Sequence, residues 1–341
     1  MRPTKLAAWA VATLVVGCGA RSPVELETFA SDASTTRVDA GHRGDAASTD
    51  ASLPFACVPG EGSTRVGTNV EFVRDFRIDD AYVYAAVDMH AAGTRLYRVP
   101  KQGGDPLVFD EVDGTIRSLA LSADEIFWTM WRSEAPFDGE VRARRIDGST
   151  PMRTVARGLY TPSAVAVRGT IVYVGGGDAP MVSIPRAGGA ATPFPSTLRT
   201  SRIIANDSML FMDDARGIAS VGTDGSQFTV ILPFAHAFDA DATTLFFPAW
   251  IDDAHTIARR ERIGGPILEI AQASTQLLSV DEVDVYWFDA RGLVSAPKTG
   301  GAARVVSAGA TSDTSGAMAV DATCVYWSAP EGGIRRIAKA H

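Results

Sequence analysis

The chain has 341 residues, of which 46% are hydrophobic and 21% are charged, and its formal net charge at pH 7 is −8. This acidic balance, without any cluster of Lys or Arg, argues against nonspecific nucleic-acid binding, because such binding depends on cations that neutralise phosphates. We therefore expect no nucleic-acid partner.

The first residues have the pattern of an export signal. Arg2 and Lys5 precede a mostly apolar run over residues 6–17, which is too short to span a bilayer and is typical of a signal peptide. The run ends in Val-Val-Gly-Cys at residues 15–18 and resembles the bacterial lipobox. That resemblance implies cleavage before Cys18 and a lipid on its sulfur, hence a membrane anchor in the cell envelope, at the outer membrane or cell surface. The alternatives are an ordinary secretory signal with a chance Cys, or a cytoplasmic protein.

The composition changes after Cys18. Residues 18–54 are dominated by Ala, Ser, Thr and Asp, and such a segment buries too little apolar surface to offset the entropy of ordering it. We interpret this segment as a disordered tether that follows a signal peptide at 1–17 and precedes a folded domain at 55–341. A poorly patterned helix is the alternative for the tether.

The cysteines fit the same interpretation. The chain contains Cys18, Cys57 and Cys324. If Cys18 carries lipid, the other two remain as a pair, and an oxidising compartment allows them to form a disulfide. The alternative is two independent thiols.

A repeat runs through residues 55–341. A short apolar and aromatic strand recurs at intervals of 35 to 46 residues, the length of one four-stranded propeller blade. Its second residue, used here as the anchor of each repeat, occurs seven times: Tyr84, Phe127, Tyr173, Phe211, Phe246, Tyr286 and Tyr326.

Other residues recur in phase with the anchors. Positions eight and six residues before each anchor are always apolar, which indicates one buried face of a strand. Asp or Asn stands five residues before five of the anchors, where it favours a tight turn. Downstream, Pro-Lys-Gln-Gly-Gly at residues 100–104 recurs in related form at 185–189 and 297–301. Each repeat thus predicts strands a, b, c and d, joined by an Asp turn, a loop and a Gly turn.

These units resemble the YWTD repeats of low-density-lipoprotein-receptor propellers and the related TolB-like bacterial propellers, most clearly over residues 126–149 and 285–301. We predict an all-β, seven-bladed propeller with four antiparallel strands per blade; six and eight blades are the alternatives. The last repeat lacks its strand d, so we expect residues near 64–68 to pair with residues near 334–338 and close the ring. A disulfide between Cys57 and Cys324 would fasten this closure.

Candidate binding residues come from two patterns. Non-apolar residues stand ten positions before each anchor and are expected to ring the upper mouth of the central channel. They are Arg74, Arg117, Ser163, Ser201, His236, Gln276 and Gly316. We infer an anion site formed by Arg74 and Arg117 with His236 across the channel. The alternative is that polar residues simply occupy strand ends that meet water.

Trp131 and Trp250 lie in long loops between strands b and c. Exposed aromatic residues rimmed by charge suit a protein or carbohydrate ligand, and the alternative is that both indoles pack back over the blade edges. No nucleophile elbow, HExxH, CxxC or P-loop motif occurs, so we predict no catalytic residue, metal or cofactor. The sequence favours a monomeric, non-catalytic binding or scaffold lipoprotein, with a propeller lyase or glycan hydrolase as the alternative.

Overall fold

The computed structural model describes residues 55–339 except 69, 91–92, 133–137, 178, 195–198, 207, 234–236, 252, 263 and 313–315. The described residues form seven four-stranded antiparallel sheets, which confirms the predicted all-β propeller with seven blades. No helix in this part of the chain is long and apolar enough to cross a bilayer.

In blades 1 to 6 the four strands follow one another in chain order from the innermost to the outermost. Blade 1 contains β2 (Val73–Ile78), β3 (Tyr82–Asp88), β4 (Thr94–Pro100) and β5 (Leu107–Val112). Blade 2 contains β6 (Thr115–Leu121), β7 (Glu125–Trp131), β8 (Gly139–Arg145) and β9 (Arg153–Leu159). Blade 3 contains β10 (Pro162–Arg168), β11 (Ile171–Gly176), β12 (Ala179–Pro185) and β13 (Thr192–Pro193). Blade 4 contains β14 (Ile203–Ala205), β15 (Met209–Asp214), β16 (Gly217–Gly222) and β17 (Thr229–Pro233).

The remaining three blades follow the same order. Blade 5 contains β18 (Asp239–Ala240), β19 (Thr244–Ile251), β20 (Ala254–Glu261) and β21 (Leu268–Gln272). Blade 6 contains β22 (Leu278–Val280), β23 (Asp284–Asp289), β24 (Gly292–Pro297) and β25 (Arg304–Ala308). Blade 7 contains β26 (Met318–Val320), β27 (Cys324–Ser328), β28 (Ile334–Ala338) and, as its outermost strand, β1 (Thr64–Val66).

The ring closes through β1, as predicted. Thr64 lies opposite Arg336 and Val66 opposite Ile334 in an antiparallel pair. Closure of this kind removes a strand edge that would otherwise be exposed to other chains. Cys57 and Cys324 form a disulfide with Cα atoms 5.6 Å apart, which confirms the predicted bond. The disulfide therefore fixes the segment before β1 to the same blade that β1 completes.

The anchors form the core of each blade. All seven are buried, at no more than 2% exposure. The apolar residues eight positions before them are also mostly buried, but those six positions before are only half-buried. The difference arises because each residue six positions before an anchor comes directly before the turn that joins strand a to strand b, where the sheet meets solvent.

A polar contact between neighbouring blades recurs on the bottom face, which carries the turns from strand a to b and from c to d. The cation that follows strand c of one blade pairs with a turn carboxylate of the preceding blade, and in three of the four pairs given below it also stacks over an anchor ring of that blade. We call this contact the interblade clasp. The pairs are Lys101 with Asp321, Arg186 with Asp124, Lys298 with Asp241, and Lys339 with Asp281. The stacked rings are those of Tyr326 below Lys101, Phe127 below Arg186 and Phe246 below Lys298.

Candidate functional site

The innermost strands surround a cavity of about 960 Å³ at the centre of the ring, named here the channel cavity. A cavity of this size is large enough for a drug-sized ligand or a few residues of a peptide. Of the residues predicted to ring its mouth, five line it: Arg74, Arg117, Ser201, Gln276 and Gly316.

One predicted residue is placed differently, and another is not described. Ser163 does not line the channel cavity, and its hydroxyl donates a hydrogen bond of 3.0 Å to the carbonyl oxygen of Thr200. This bond joins blade 3 to the segment that leads into blade 4, so Ser163 serves the contact between blades. His236 lies outside the described residues, and its predicted place across the channel stays a prediction.

Arg74 is ion-paired within its own blade. Its guanidinium contacts the carboxylate of Asp88, the last residue of β3. The other oxygen of Asp88 accepts the backbone N–H of His90 at 2.8 Å. The carboxylate is therefore held in place from the loop side, and it neutralises the charge of Arg74.

Arg117 has a different environment. The guanidinium carbon lies 5.5 Å from the centre of the Trp131 indole, within cation–π range. Within the described ranges no carboxylate forms an ion pair or hydrogen bond with Arg117. Burial and then repulsion from Arg74 lower the pKa of Arg117, and the charge of Asp88 opposes both effects. Arg117 is thus a cation at the channel mouth that stacks on Trp131 and has no described carboxylate within hydrogen-bond or ion-pair distance.

Two carboxylates that line the channel cavity connect neighbouring blades. Asp75 accepts the backbone N–H of Leu119 in blade 2 at 2.8 Å, and Arg77 donates to its other oxygen at 2.6 Å. Asp239 of blade 5 accepts the backbone N–H of Val280 in blade 6 at 3.1 Å. Both acids therefore complete the hydrogen bonding of an adjacent inner strand, which is a structural role.

A third carboxylate in the cavity belongs to blade 4. Asp213 accepts the backbone N–H groups of Ser201 and Arg202, each at 2.7 Å, and the hydroxyl of Ser201. Burial raises the pKa of Asp213, and these hydrogen bonds and the charge of Arg202 only partly offset the rise. The acid holds the entry to β14 in position.

A second cavity, named here the rim pocket, opens on the top face, which carries the loops from strand b to c and from d to the next a. It has a volume of about 580 Å³, lies between blades 1 and 2, and shares Arg74 with the channel cavity. Phe72, His90 and Trp131 line it. Trp131 is thus half-buried in a pocket that adjoins the channel mouth.

The rim pocket contains backbone strain. Phe72 has φ of 51° and His90 has φ of 58°, in the left-handed region that is costly for bulky side chains. Their rings meet edge to face with centroids 4.7 Å apart, yet the Phe72 residue is 55% exposed. Strain that persists without full burial often marks a functional position. Sequence analysis missed Phe72, because a single phenylalanine before β2 belongs to no repeated pattern.

Trp250 stands apart, at the tip of a hairpin in blade 5. It is 62% exposed, and its ring meets that of His255 edge to face, with centroids 4.3 Å apart. The two residues are directly opposite in the pairing of β19 with β20. Among the described residues, no group of three or more His, Cys, Asp or Glu side chains is arranged to hold a metal ion.

No family model matches the chain, and no curated protein matches it. Solved structures match its fold. The extracellular domain of the putative hybrid two-component system BT4673 from B. thetaiotaomicron is 12% identical with a TM-score of 0.58, and the match covers 81% of this chain but only 39% of that one. The WD40 propeller domain of Doa1 is 11% identical with a TM-score of 0.58 and coverage of 81% and 97%. The structure titled YCF48 bound to D1 peptide is 11% identical, with a TM-score of 0.57 and coverage of 84% and 98%. At these identities the likeness is one of fold.

Proposed function

We propose that this chain is an exported, lipid-anchored protein whose propeller binds a ligand without catalysis, on the top face around the rim pocket and the channel mouth. One observation carries the binding proposal. Arg117 has no ion-pair partner among the described residues and lies over Trp131, which lines the rim pocket together with the exposed Phe72. A concave site with aromatic walls and a few convergent polar groups is the usual form of a ligand site.

The anchoring proposal rests on residues 15–18 and on the disulfide. Cys18 is the lipid acceptor that the lipobox resemblance implies. The disulfide between Cys57 and Cys324 supports export, because such bonds persist mainly in oxidising compartments. A propeller displayed at a membrane surface on the segment 18–54 is suited to meeting a ligand outside the cytoplasm.

The channel acids favour binding over hydrolysis. A glycan hydrolase typically needs two carboxyl groups that are free to move protons and attack the substrate. Asp75, Asp213 and Asp239 are instead occupied by backbone N–H groups of the inner strands or the residues that lead into them. The exposed indole of Trp250 adds a contact surface on the top face.

Binding of the full-length chain to an array of peptides and oligosaccharides tests the proposal. We expect the variant Phe72→Ala/Trp250→Ala to lose the interactions that the wild type makes. Val283→Ala is the matched control, because Val283 is 58% exposed on a bottom-face turn, and this variant should keep them. The proposal is wrong if the top-face variant retains every interaction, or if the wild type binds nothing on the array.

A further inference from the structure

The balance of charge around the rim pocket limits the ligand it can take. Arg74 is paired with Asp88, and Arg132 is paired with Asp113 at 2.8 Å. Arg132 also pairs with Asp138 at 3.3 Å, and Arg77 and Arg202 of the channel cavity pair with Asp75 and Asp239. Among the described cations that line the rim pocket and the channel cavity, Arg117 is therefore the one without an ion-pair partner. A single positive charge matches one carboxylate. A phosphate dianion would be matched better by two free cations, but Arg74 is paired with Asp88.

The aromatic groups further restrict the chemistry. Arg117 covers one face of the half-buried Trp131 indole, and the Phe72 and His90 rings meet edge to face. A sugar ring stacks best on an open aromatic face, whereas an apolar side chain packs well against ring edges. The walls of the rim pocket therefore suit an apolar side chain better than a flat sugar.

The position of the cation at the mouth of a cavity matters as well. Arg117 lines the channel cavity of about 960 Å³, which the inner strands enclose. The end of a chain can enter this space directly from the top face, whereas a continuous chain would have to fold back on itself or run through the channel. A carboxylate that enters together with one apolar side chain is the last residue of a peptide.

We propose that the top face binds the C terminus of a peptide that ends in an apolar residue. Arg117 receives the terminal carboxylate through its guanidinium N–H groups, as charge-assisted hydrogen bonds of this pair favour. Phe72 and Trp131 contact the last side chain, and Asp88 keeps Arg74 from competing for the carboxylate. This inference rests on the proposed top-face binding function and names its ligand class.

A comparison of acid and amide probes tests the inference on the full-length chain. The probes are N-acetyl-alanyl-phenylalanine with a free carboxylate and the same dipeptide with a terminal amide, and affinities are measured by calorimetry. We expect the acid to bind about tenfold more tightly than the amide, a difference of about 1.4 kcal/mol, because the neutral amide cannot form charge-assisted hydrogen bonds of the carboxylate type with Arg117. Arg117→Gln should reduce the affinity for the acid to that for the amide and leave the amide unchanged.

Arg157→Gln is the matched control, because the Arg157 side chain is 73% exposed on the outermost strand of blade 2, and it should alter neither affinity. The inference is wrong if acid and amide bind equally, if Arg117→Gln has no effect on the acid, or if the acid shows no saturable binding at millimolar concentration. Glucuronate is a third probe, and tighter binding of glucuronate than of the peptide acid would overturn the peptide in favour of an acidic sugar. None of these results would decide whether the top face binds a ligand at all, because that proposal is tested separately by the Phe72→Ala/Trp250→Ala variant on the array.

Discussion

The ammonium of Lys101 in blade 1 lies 2.6 Å from a carboxylate oxygen of Asp321 in blade 7, although the two residues are 220 positions apart in sequence. Lys101 is 1% exposed, and its Nζ also lies 5.1 Å from the centre of the Tyr326 ring. Tyr326 in turn donates its hydroxyl to Asp321 at 2.9 Å. This clasp joins the first blade to the last, at the seam where the ring closes.

Replacement of Lys101 by methionine tests how much this clasp contributes. The change leaves the Asp321 carboxylate without its cation in a mostly buried site, so we expect the free energy of unfolding to fall by about 3 kcal/mol. Denaturant unfolding provides the measurement. Arg291→Met is the control, because Arg291 is half-exposed and pairs with Asp289 in its own hairpin; that change should cost less than about 1 kcal/mol. Equal losses in the two variants would contradict a special role for the seam.

Acid should weaken the clasps. At Asp241, Asp281 and Asp321, burial raises the pKa, but hydrogen bonds from the paired lysine and from backbone N–H groups outweigh it and hold each pKa below its ordinary value. A depressed folded pKa contributes stability above the unfolded value of about 3.9, and this stability is lost as pH falls through the folded pKa.

The matching measurement is the melting temperature between pH 7 and pH 2.5. We expect the wild type to lose more stability than Asp321→Asn as the pH falls below about 4, because the variant has no carboxylate to protonate at that clasp. Parallel profiles for the two proteins would show that the Asp321 clasp does not contribute to acid sensitivity.

We expect a reductant to loosen the propeller first at the seam where β1 pairs with β28. Cys57 and Cys324 are 267 residues apart, and a loop of that length corresponds to about 5 kcal/mol of chain entropy in the unfolded state. We expect reduction to lower the free energy of unfolding and to speed hydrogen exchange in β28 before the inner strands. A Cys57→Ala/Cys324→Ala variant should show the same loss without reductant and no further response to it. Uniform exchange across all blades would contradict the seam as the weak point.

Lipidation is tested at Cys18. If this residue is the acceptor, Cys18→Ser should release the protein from membrane fractions or block its processing. Fractionation and mass measurement of the mature chain distinguish the two results. Ser31→Ala serves as the control, because it changes the segment after Cys18 and leaves residues 15–18 and the disulfide intact. Unchanged membrane retention with normal cleavage of the Cys18 variant would show that another feature holds the protein at the membrane.

The number of blades was predictable because the same pattern of residues recurs in every blade. An anchor, an apolar residue eight positions earlier and a turn residue in between are all set by neighbours on one sheet, so periodicity reveals them. The closing strand was predictable for a related reason: blade 7 lacks a fourth strand, and residues 64–66 have the pattern that completes it. The pairing of Cys57 with Cys324 then followed from the same seam.

The contacts between blades were harder to predict. The sequence shows a cation after strand c in the motifs that contain Lys101, Arg186 and Lys298, but its partner lies in the preceding blade and for Lys101 at the far end of the chain. The pairing of Arg74 with Asp88 was equally hidden, because it depends on side-chain directions at a loop. Periodicity identified five residues that line the channel cavity, whereas the partners of such residues depend on side-chain directions at loops and on how adjacent blades meet.

Phe72 provides a final test that separates stability from binding. Its φ of 51° costs about 1–2 kcal/mol for a side chain with a Cβ, and its carbonyl is held in this geometry by the N–H of Asp88 at 3.1 Å. Glycine adopts this φ without strain, but loses about 0.5–1 kcal/mol through greater freedom of the unfolded chain. We therefore expect Phe72→Gly to leave the free energy of unfolding unchanged or raise it by up to about 1 kcal/mol, and to weaken top-face binding.

Gln227→Gly is the matched control, because Gln227 has φ of 57° in an exposed turn between strands c and d of blade 4. It should have the same effect on stability and none on binding to the peptide and oligosaccharide array. If Phe72→Gly instead lowers the free energy of unfolding by more than about 1 kcal/mol, the ring of Phe72 stabilises the fold through its packing against His90. If stability is kept and binding is unchanged, the strained phenylalanine has no part in the site. If Phe72→Gly keeps its stability but loses binding, the strained backbone of Phe72 serves ligand binding and not the stability of the fold.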